Sequence, residues 1–293
     1  MSRVKSFSVG NGDMFYIRHD SDNFSIIDCC LNEDNQQTIV DELIEQSAEK
    51  SITRFISTHP DEDHLRGLRY LESEFGIPNF YCVRNNAFKE EETDDFVRYC
   101  ELRDADKAFY LYRGCKRKWM NLDGDGRGKA GIHIKWPDID NADFKAALTE
   151  AEGGGSPNNI SAVIRYGIED GASFLWMGDL ETEFMEKIAD TIKWPKTDVV
   201  FAAHHGRGSG RIPHSILDQL QPKIIVLGEA PSRYLHYYGG YNTLTQNSAG
   251  DITFECDEDG KAHIFVSRDS YEVNFLSDED VFGEENYLGT LEL

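Results

Sequence analysis

Six consecutive residues, His59-Pro60-Asp61-Glu62-Asp63-His64, constrain this chain more than any other segment. They follow Ile52 to Ser57, an apolar, β-branched run that reads as a buried strand ending abruptly in a polar loop. Two imidazoles and several carboxylates crowded at a strand-to-helix turn are costly unless a cation compensates them. Imidazole with carboxylate is also a ligand set for divalent first-row metals. A loop lets such residues converge from different backbone directions, which one helix face does not. The alternative is an acidic N-cap, with Asp61 or Asp63 neutralising the dipole of the next helix. That reading accounts for the acids but not for both histidines.

The same event recurs twice. A strand over Ser173 to Met177 ends in Gly178-Asp179, and another over Val199 to Ala203 ends in His204-His205-Gly206. Alone, the first is an ordinary turn and the second a pair of surface or packing histidines. Following the first cluster in this order, both become candidate metal ligands. The remaining pattern is mixed. A meander over 4–9, 14–18 and 24–28 precedes a helix over 35–50, a helix over 65–75 and a strand over 77–83. Residues 84–128 read as an insertion with a helix over 90–107 and exposed loops. Its acidic-glycine stretch 123–128 lacks the later Glu of a calcium loop and is read as a turn. Further strands are expected over 132–136, 160–166, 224–227, 252–255 and 262–266, with helices over 142–150 and 181–192. With no boundary of linker composition, residues 1–293 are expected to form one domain.

The chain carries 53 Asp+Glu against 30 Lys+Arg, a net charge of −23. Tight duplex nucleic acid binding is therefore not expected, because phosphate backbones are bound through Lys and Arg, and an anionic membrane is disfavoured likewise. The start of the chain lacks a signal-peptide pattern and no apolar stretch is long enough to span a bilayer, so a cytoplasmic protein is expected. Its six scattered cysteines form no C-x-x-C pair and suit reduced thiols.

Through Thr58-His59-Pro60-Asp61-Glu62-Asp63-His64-Leu65-Arg66-Gly67, the sequence resembles the metallo-β-lactamase-fold hydrolases. Within them it is most similar to the domain of bacterial DNA-uptake competence proteins. That likeness rests on Asp61 in place of the usual second histidine, Val9-Gly10-Asn11-Gly12-Asp13, Asn158-Asn159 before a strand, Met177-Gly178-Asp179-Leu180-Glu181, and His204-His205-Gly206. The resemblance implies an α+β, four-layer αββα sandwich holding one or two divalent ions. It places His59 and Asp61 on one metal, Asp63 and His64 on the other, Asp179 as a bridge, and His204, or alternatively His205, completing the second site. The chemistry implied is attack by a metal-bound hydroxide.

The sequence also departs from that pattern. Where many relatives carry a third-motif histidine, this chain offers Asn158, Asn159 and Ser161, while His133 sits in an alternating strand. An oxygen-richer site makes Mn²⁺ or Mg²⁺ competitive with Zn²⁺. Arg207 and Arg211 lie on a glycine-rich loop that could clamp a phosphate or simply be solvated. Asn159 is a candidate substrate-binding residue beside Arg207. Asp63, Asp179 and His236 are the catalytic candidates, His236 as a proton donor to a leaving group; a partner-binding aromatic loop is the competing view of its segment. The leading expectation is a phosphodiesterase or nuclease-like hydrolase acting on a small anionic substrate. An ester, amide or thioester hydrolase is the alternative. So is a non-catalytic, metal-stabilised module that binds a protein partner or forms a homodimer.

Overall fold

A computed structural model describes residues 1–257, 260–279 and 286–293, and every candidate site residue lies among them. The chain opens with the expected meander of β1 (Ser2–Ser6), β2 (Phe15–Arg18) and β3 (Asn23–Ile27), paired antiparallel. Then α1 (Gln36–Ser47), β4 (Ile52–Ile56), α2 (Leu68–Glu74), β5 (Phe80–Val83), α3 (Asp94–Arg103) and β6 (Phe109–Leu111) alternate, and β3 through β6 run parallel. A second sheet starts with β7 (Ile132–Trp136), α4 (Ala142–Glu152), β8 (Val163–Gly167) and β9 (Ser173–Trp176), its strands antiparallel. It continues in parallel through α5 (Thr182–Ile188), β10 (Val199–Phe201), α6 (His214–Leu220), β11 (Ile224–Leu227) and β12 (Thr243–Thr245). After α7 (Gln246–Ala249), strands β13 (Ile252–Cys256), β14 (Lys261–Val266) and β15 (Tyr287–Glu292) return to the first sheet beside β1.

Two-residue alternation along the strands builds the layers. On β2, Phe15 and Ile17 enter the core between the sheets while Tyr16 faces the opposite way; on β4, Ile56 and Phe55 divide likewise. Tyr16, Phe24, Phe55 and Phe80 are covered by Ile39, Val40 and Leu43 of α1, Leu68 and Leu71 of α2, and Phe96 and Tyr99 of α3. Between the sheets, Phe15 meets Trp176 edge-on at 5.9 Å and Phe201 at 4.9 Å, and Phe174 meets Phe254 at 5.5 Å. Apolar faces of α4, α5 and α6 pack on the second sheet, where Trp136 contacts Phe144 and Phe184. The chain is thus an αββα sandwich. Among the described residues no helix is long and apolar enough to cross a membrane, and all six cysteines are free.

The segment 84–128 departs from its expected form. Its helix is shorter, running only over α3, with the Thr93 hydroxyl accepting from Phe96 N at 3.1 Å as the cap. After it, β6 pairs with β5 and extends the sheet, and Cys115 and Met120 are buried in the apolar core rather than exposed in loops. The carbonyl of Trp119 accepts from the buried Arg54 guanidinium, tying the segment to β4. The helix read over 181–192 likewise spans only α5, while α6, β12 and β15 were not anticipated.

Candidate metal centre

The carboxyl ends of β3 and β4 in one sheet and of β9 and β10 in the other meet at one edge of the sandwich. Each delivers a polar side chain: Asp28, His59, Asp179, and the pair His204-His205. The loop before β2 adds Asp13, and the helical turn Glu62–His64 adds Asp63 and His64. Asp179 is buried at the hub. Its Oδ1 lies 3.0 Å from His64 Nε2, and its Oδ2 lies 3.5 Å from His204 Nε2, 3.6 Å from His205 Nε2 and 4.0 Å from His59 Nε2. His205 also reaches Asp63 Oδ2 at 3.3 Å through Nε2 and Asp13 Oδ1 at 3.0 Å through Nδ1. Ligand-type atoms of Asp13, His64, Asp179 and His205 all lie within 4.8 Å of one another.

These atoms approach without satisfying each other. His59 Nε2, His64 Nε2, Asp179 Oδ1 and His205 Nδ1 are buried and make no hydrogen bond of proper geometry, although His64 Nε2 lies 3.0 Å from Asp179 Oδ1 and His205 Nδ1 lies 3.0 Å from Asp13 Oδ1. Buried polar groups are normally paired, so several orphaned atoms facing one small volume is the signature of ligands aimed at a common cation rather than at one another. The donor set, imidazole nitrogens and carboxylate oxygens, fits a divalent first-row metal.

A supporting ring fixes the ligands. Asp28 accepts from His64 Nδ1 at 2.8 Å, from Thr58 Oγ1 at 2.6 Å and from Thr58 N at 2.7 Å. Because the Thr58 hydroxyl donates to Asp28, its oxygen is left to accept from His59 Nδ1 at 3.1 Å. Both rings therefore turn Nε2 toward Asp179. Ser161 Oγ accepts from Asp179 N, and Ser209 Oγ lies 3.0 Å from His204 Nδ1.

Backbone geometry shows how tightly the loops are drawn in. A Cβ at Gly12 would lie 2.5 Å from Asp63 O and 2.4 Å from Cys30 Sγ, so only glycine lets the loop carrying Asp13 close on this turn. His204 and His205 hold φ of 51° and 55°, two successive left-handed non-glycine residues. Such a conformation costs roughly 1–2 kcal/mol per residue and persists where the surroundings enforce it.

Electrostatically the cluster is strongly coupled. Burial opposes charge on His64 and His205, but Asp179 and Asp28 hold His64 well above the ordinary imidazole range, and Asp13 with Asp179 pushes His205 up to about 10. Burial and the neighbouring His64 lower His59 to about 4. Burial would raise Asp179 and Asp63, yet the imidazoles keep both below the usual carboxylate range. In the metal-free chain, protons on His64 and His205 thus supply the positive charge.

Of the residues expected from sequence, the structure brings His59, Asp63, His64, Asp179, His204 and His205 together. Of the adjacent histidines it is His205 that joins the tight group of four. Asp61 sits at the margin, where Oδ1 accepts from Glu62 N at 2.9 Å and pairs with Lys89 Nζ at 3.0 Å. Arg207 is half-buried, with Nε buried and unpartnered. Asn159 exchanges two hydrogen bonds with Glu181, and Arg211 is exposed over the Tyr237 ring at 5.4 Å. His236 is exposed, and its side chain has no hydrogen bond or ion pair among the described residues. Sequence reasoning missed Asp13, Asp28 and Lys89 as members of the site. Asp28 carried a signal, since it ends an apolar strand run as Asp179 does.

No family model matches this chain, and no curated protein matches it. Among solved structures it is similar to a subclass B3 metallo-beta-lactamase of Bradyrhizobium japonicum, at 15% identity over 67% of this chain and 70% of that one, with a TM-score of 0.36. It is also similar to CmlA, a diiron beta-hydroxylase from Streptomyces venezuelae, at 15% identity over 78% of this chain and 44% of that one, with a TM-score of 0.40. Overlays this partial leave the reading of the site to its own side chains.

Proposed function

We propose that the chain is a metal-dependent hydrolase of the metallo-β-lactamase superfamily, of the competence-protein type, and that its substrate is a small phosphodiester. The observation that carries this reading is the convergence of four imidazoles on Asp179, with His59 Nε2, His64 Nε2 and Asp179 Oδ1 buried and making no hydrogen bond. Asp13, Asp63, His64 and His205 with Asp179 would hold one cation; His59 and His204, with Asp179 shared and Asp61 beside them, would hold a second. Divalent ions held there would lower the pKa of a nearby water toward neutrality and would supply positive charge for the oxygens of a phosphoryl or acyl group.

The chain's own residues set orientation. Asp28 and Thr58 fix the ring planes of His64 and His59, and Ser209 fixes His204. Arg207, with an unpartnered buried Nε on the loop after His205, supplies cationic character, while Lys89 offsets the charge of Asp61. That favours an anionic ester over a neutral one.

Hydrolysis of bis(p-nitrophenyl) phosphate after chelation and refilling with Mn²⁺ or Zn²⁺ tests the proposal. Activity should return, more with Mn²⁺, and both Asp63→Asn and His64→Ala should abolish it in folded protein. Turnover of p-nitrophenyl acetate alone would reassign the chain to carbonyl esters. Metal binding with neither activity would leave a metal-stabilised binding module.

A further inference from the structure

We infer that a second site, formed by the loop after β6, strand β7 and the segment after α5, binds a small anion carrying several negative charges, of the polyphosphate class. It is a cavity of about 580 Å³, within the range of small-molecule sites, and it shares no residue with the metal centre. Arg113, Lys116, His133, Lys135 and Lys193 line it over the apolar Ile134 and Ile192, and no Asp or Glu does, in a chain with 53 acidic residues.

The three lysines here are not neutralised. Arg113 is anchored by Asp138 at 2.6 Å and by the Thr191 carbonyl at 2.9 Å, but the side chains of Lys116, Lys135 and Lys193 have no hydrogen bond or ion pair among the described residues. Lys135 is half-buried, and burial together with the charge of Arg165 pulls its ammonium below the ordinary lysine range. Across the β7–β8 ladder Arg165 stands directly opposite His133, with its own Nε buried and unpartnered. His133 is held below the ordinary imidazole range by burial and by Lys135 and Arg165 and is uncharged, so the uncompensated positive charge here is that of Lys116, Lys135 and Lys193, with Lys135 partly desolvated.

The chemistry selects the ligand. Lysines are point charges on flexible stems and reward charge density rather than the planar geometry of one carboxylate. The ligand is also small. Portions of an extended polyanion lying more than a screening length of about 8 Å from the cavity no longer feel its cations and meet the surface of a chain with 23 excess acids, whereas an anion confined to the cavity meets its cations.

Isothermal titration of the chelator-treated protein at about 150 mM salt tests this. Tripolyphosphate, ATP and a single-stranded oligonucleotide are the probes. Chelation keeps the signal separate from the metal centre, so the result does not depend on the proposed function. Saturable binding of tripolyphosphate or ATP at one site per chain is expected. Lys135→Gln combined with Lys193→Gln should weaken it at least tenfold, and Lys116→Gln, on an exposed loop where folding is not at risk, several-fold. Lys187→Gln, exposed on α5 outside this cavity, should leave it unchanged. No saturable binding, equal affinity in the pocket variants, or tighter binding of the oligonucleotide than of tripolyphosphate would overturn the inference.

Discussion

The metal centre and the basic pocket are both concentrations of charge, built in opposite ways. At the centre the rings are held from behind: Asp28 grips His64, Thr58 grips His59, and Ser209 grips His204, while the opposing charges nearly meet. In the pocket, like charges gather and three lysines are held by nothing among the described residues. Rigid support is what a site needs when donor atoms must point at one place within a fraction of an ångström. Loose lysines suffice where only charge density is required.

Asp179→Ala should break the first region alone. Removing the hub carboxylate should cost about a hundred- to a thousandfold in phosphodiester hydrolysis, the scale seen when a preorganised polar group is lost. Anion binding in the basic pocket should be unaltered. Full activity in this variant would reduce Asp179 to a turn residue.

Asp28→Asn tests the supporting ring. An amide cannot hold the His64 ring as a carboxylate does, and metal affinity should fall about 10- to 100-fold by titration, with the fold retained by circular dichroism. Unchanged affinity would mean that the ring does not matter.

A smaller effect is expected from pH. His64 and His205 are held protonated in the metal-free chain, His205 to about 10, so a cation must displace both protons. Metal binding should release protons and strengthen as pH rises from about 6 to about 9. The rise in Tm on adding Mn²⁺ should grow over that range. Without metal the sign reverses: the imidazolium ion pairs contribute stability that is complete below an imidazole pKa of about 6.5 and is lost as pH rises through about 10. A pH-independent metal increment would contradict the protonated assignment.

The sequence exposed the parts of this arrangement that are local. His59 to His64 lie within one turn, and Asp179 and His204-His205 each end an apolar strand, so a strand followed by a polar break marked all three loops. What could not be read is what the fold brings from afar. Asp28 bonds His64 across 36 residues and Asp13 meets His205 through a loop closed by Gly12, and no periodicity or spacing encodes either contact. Lys89 was hidden for a similar reason, since its partner Asp61 lies 28 residues away. Residues 84–128 were misjudged because β6 is three residues long and gains its identity only by pairing with β5. Likewise His133 and Lys135 read as ordinary strand positions until the fold set them beside Lys193.

The central claim is that the histidine–aspartate cluster is a divalent-metal centre, and elemental analysis of protein purified without chelator tests it most directly. Wild type and His64→Ala should be measured together after dialysis against Mn²⁺ or Zn²⁺. One or two ions per chain are predicted for wild type, with at least one lost in the folded variant. A wild-type chain that retains no divalent metal, or a variant that retains the full complement, would contradict the account.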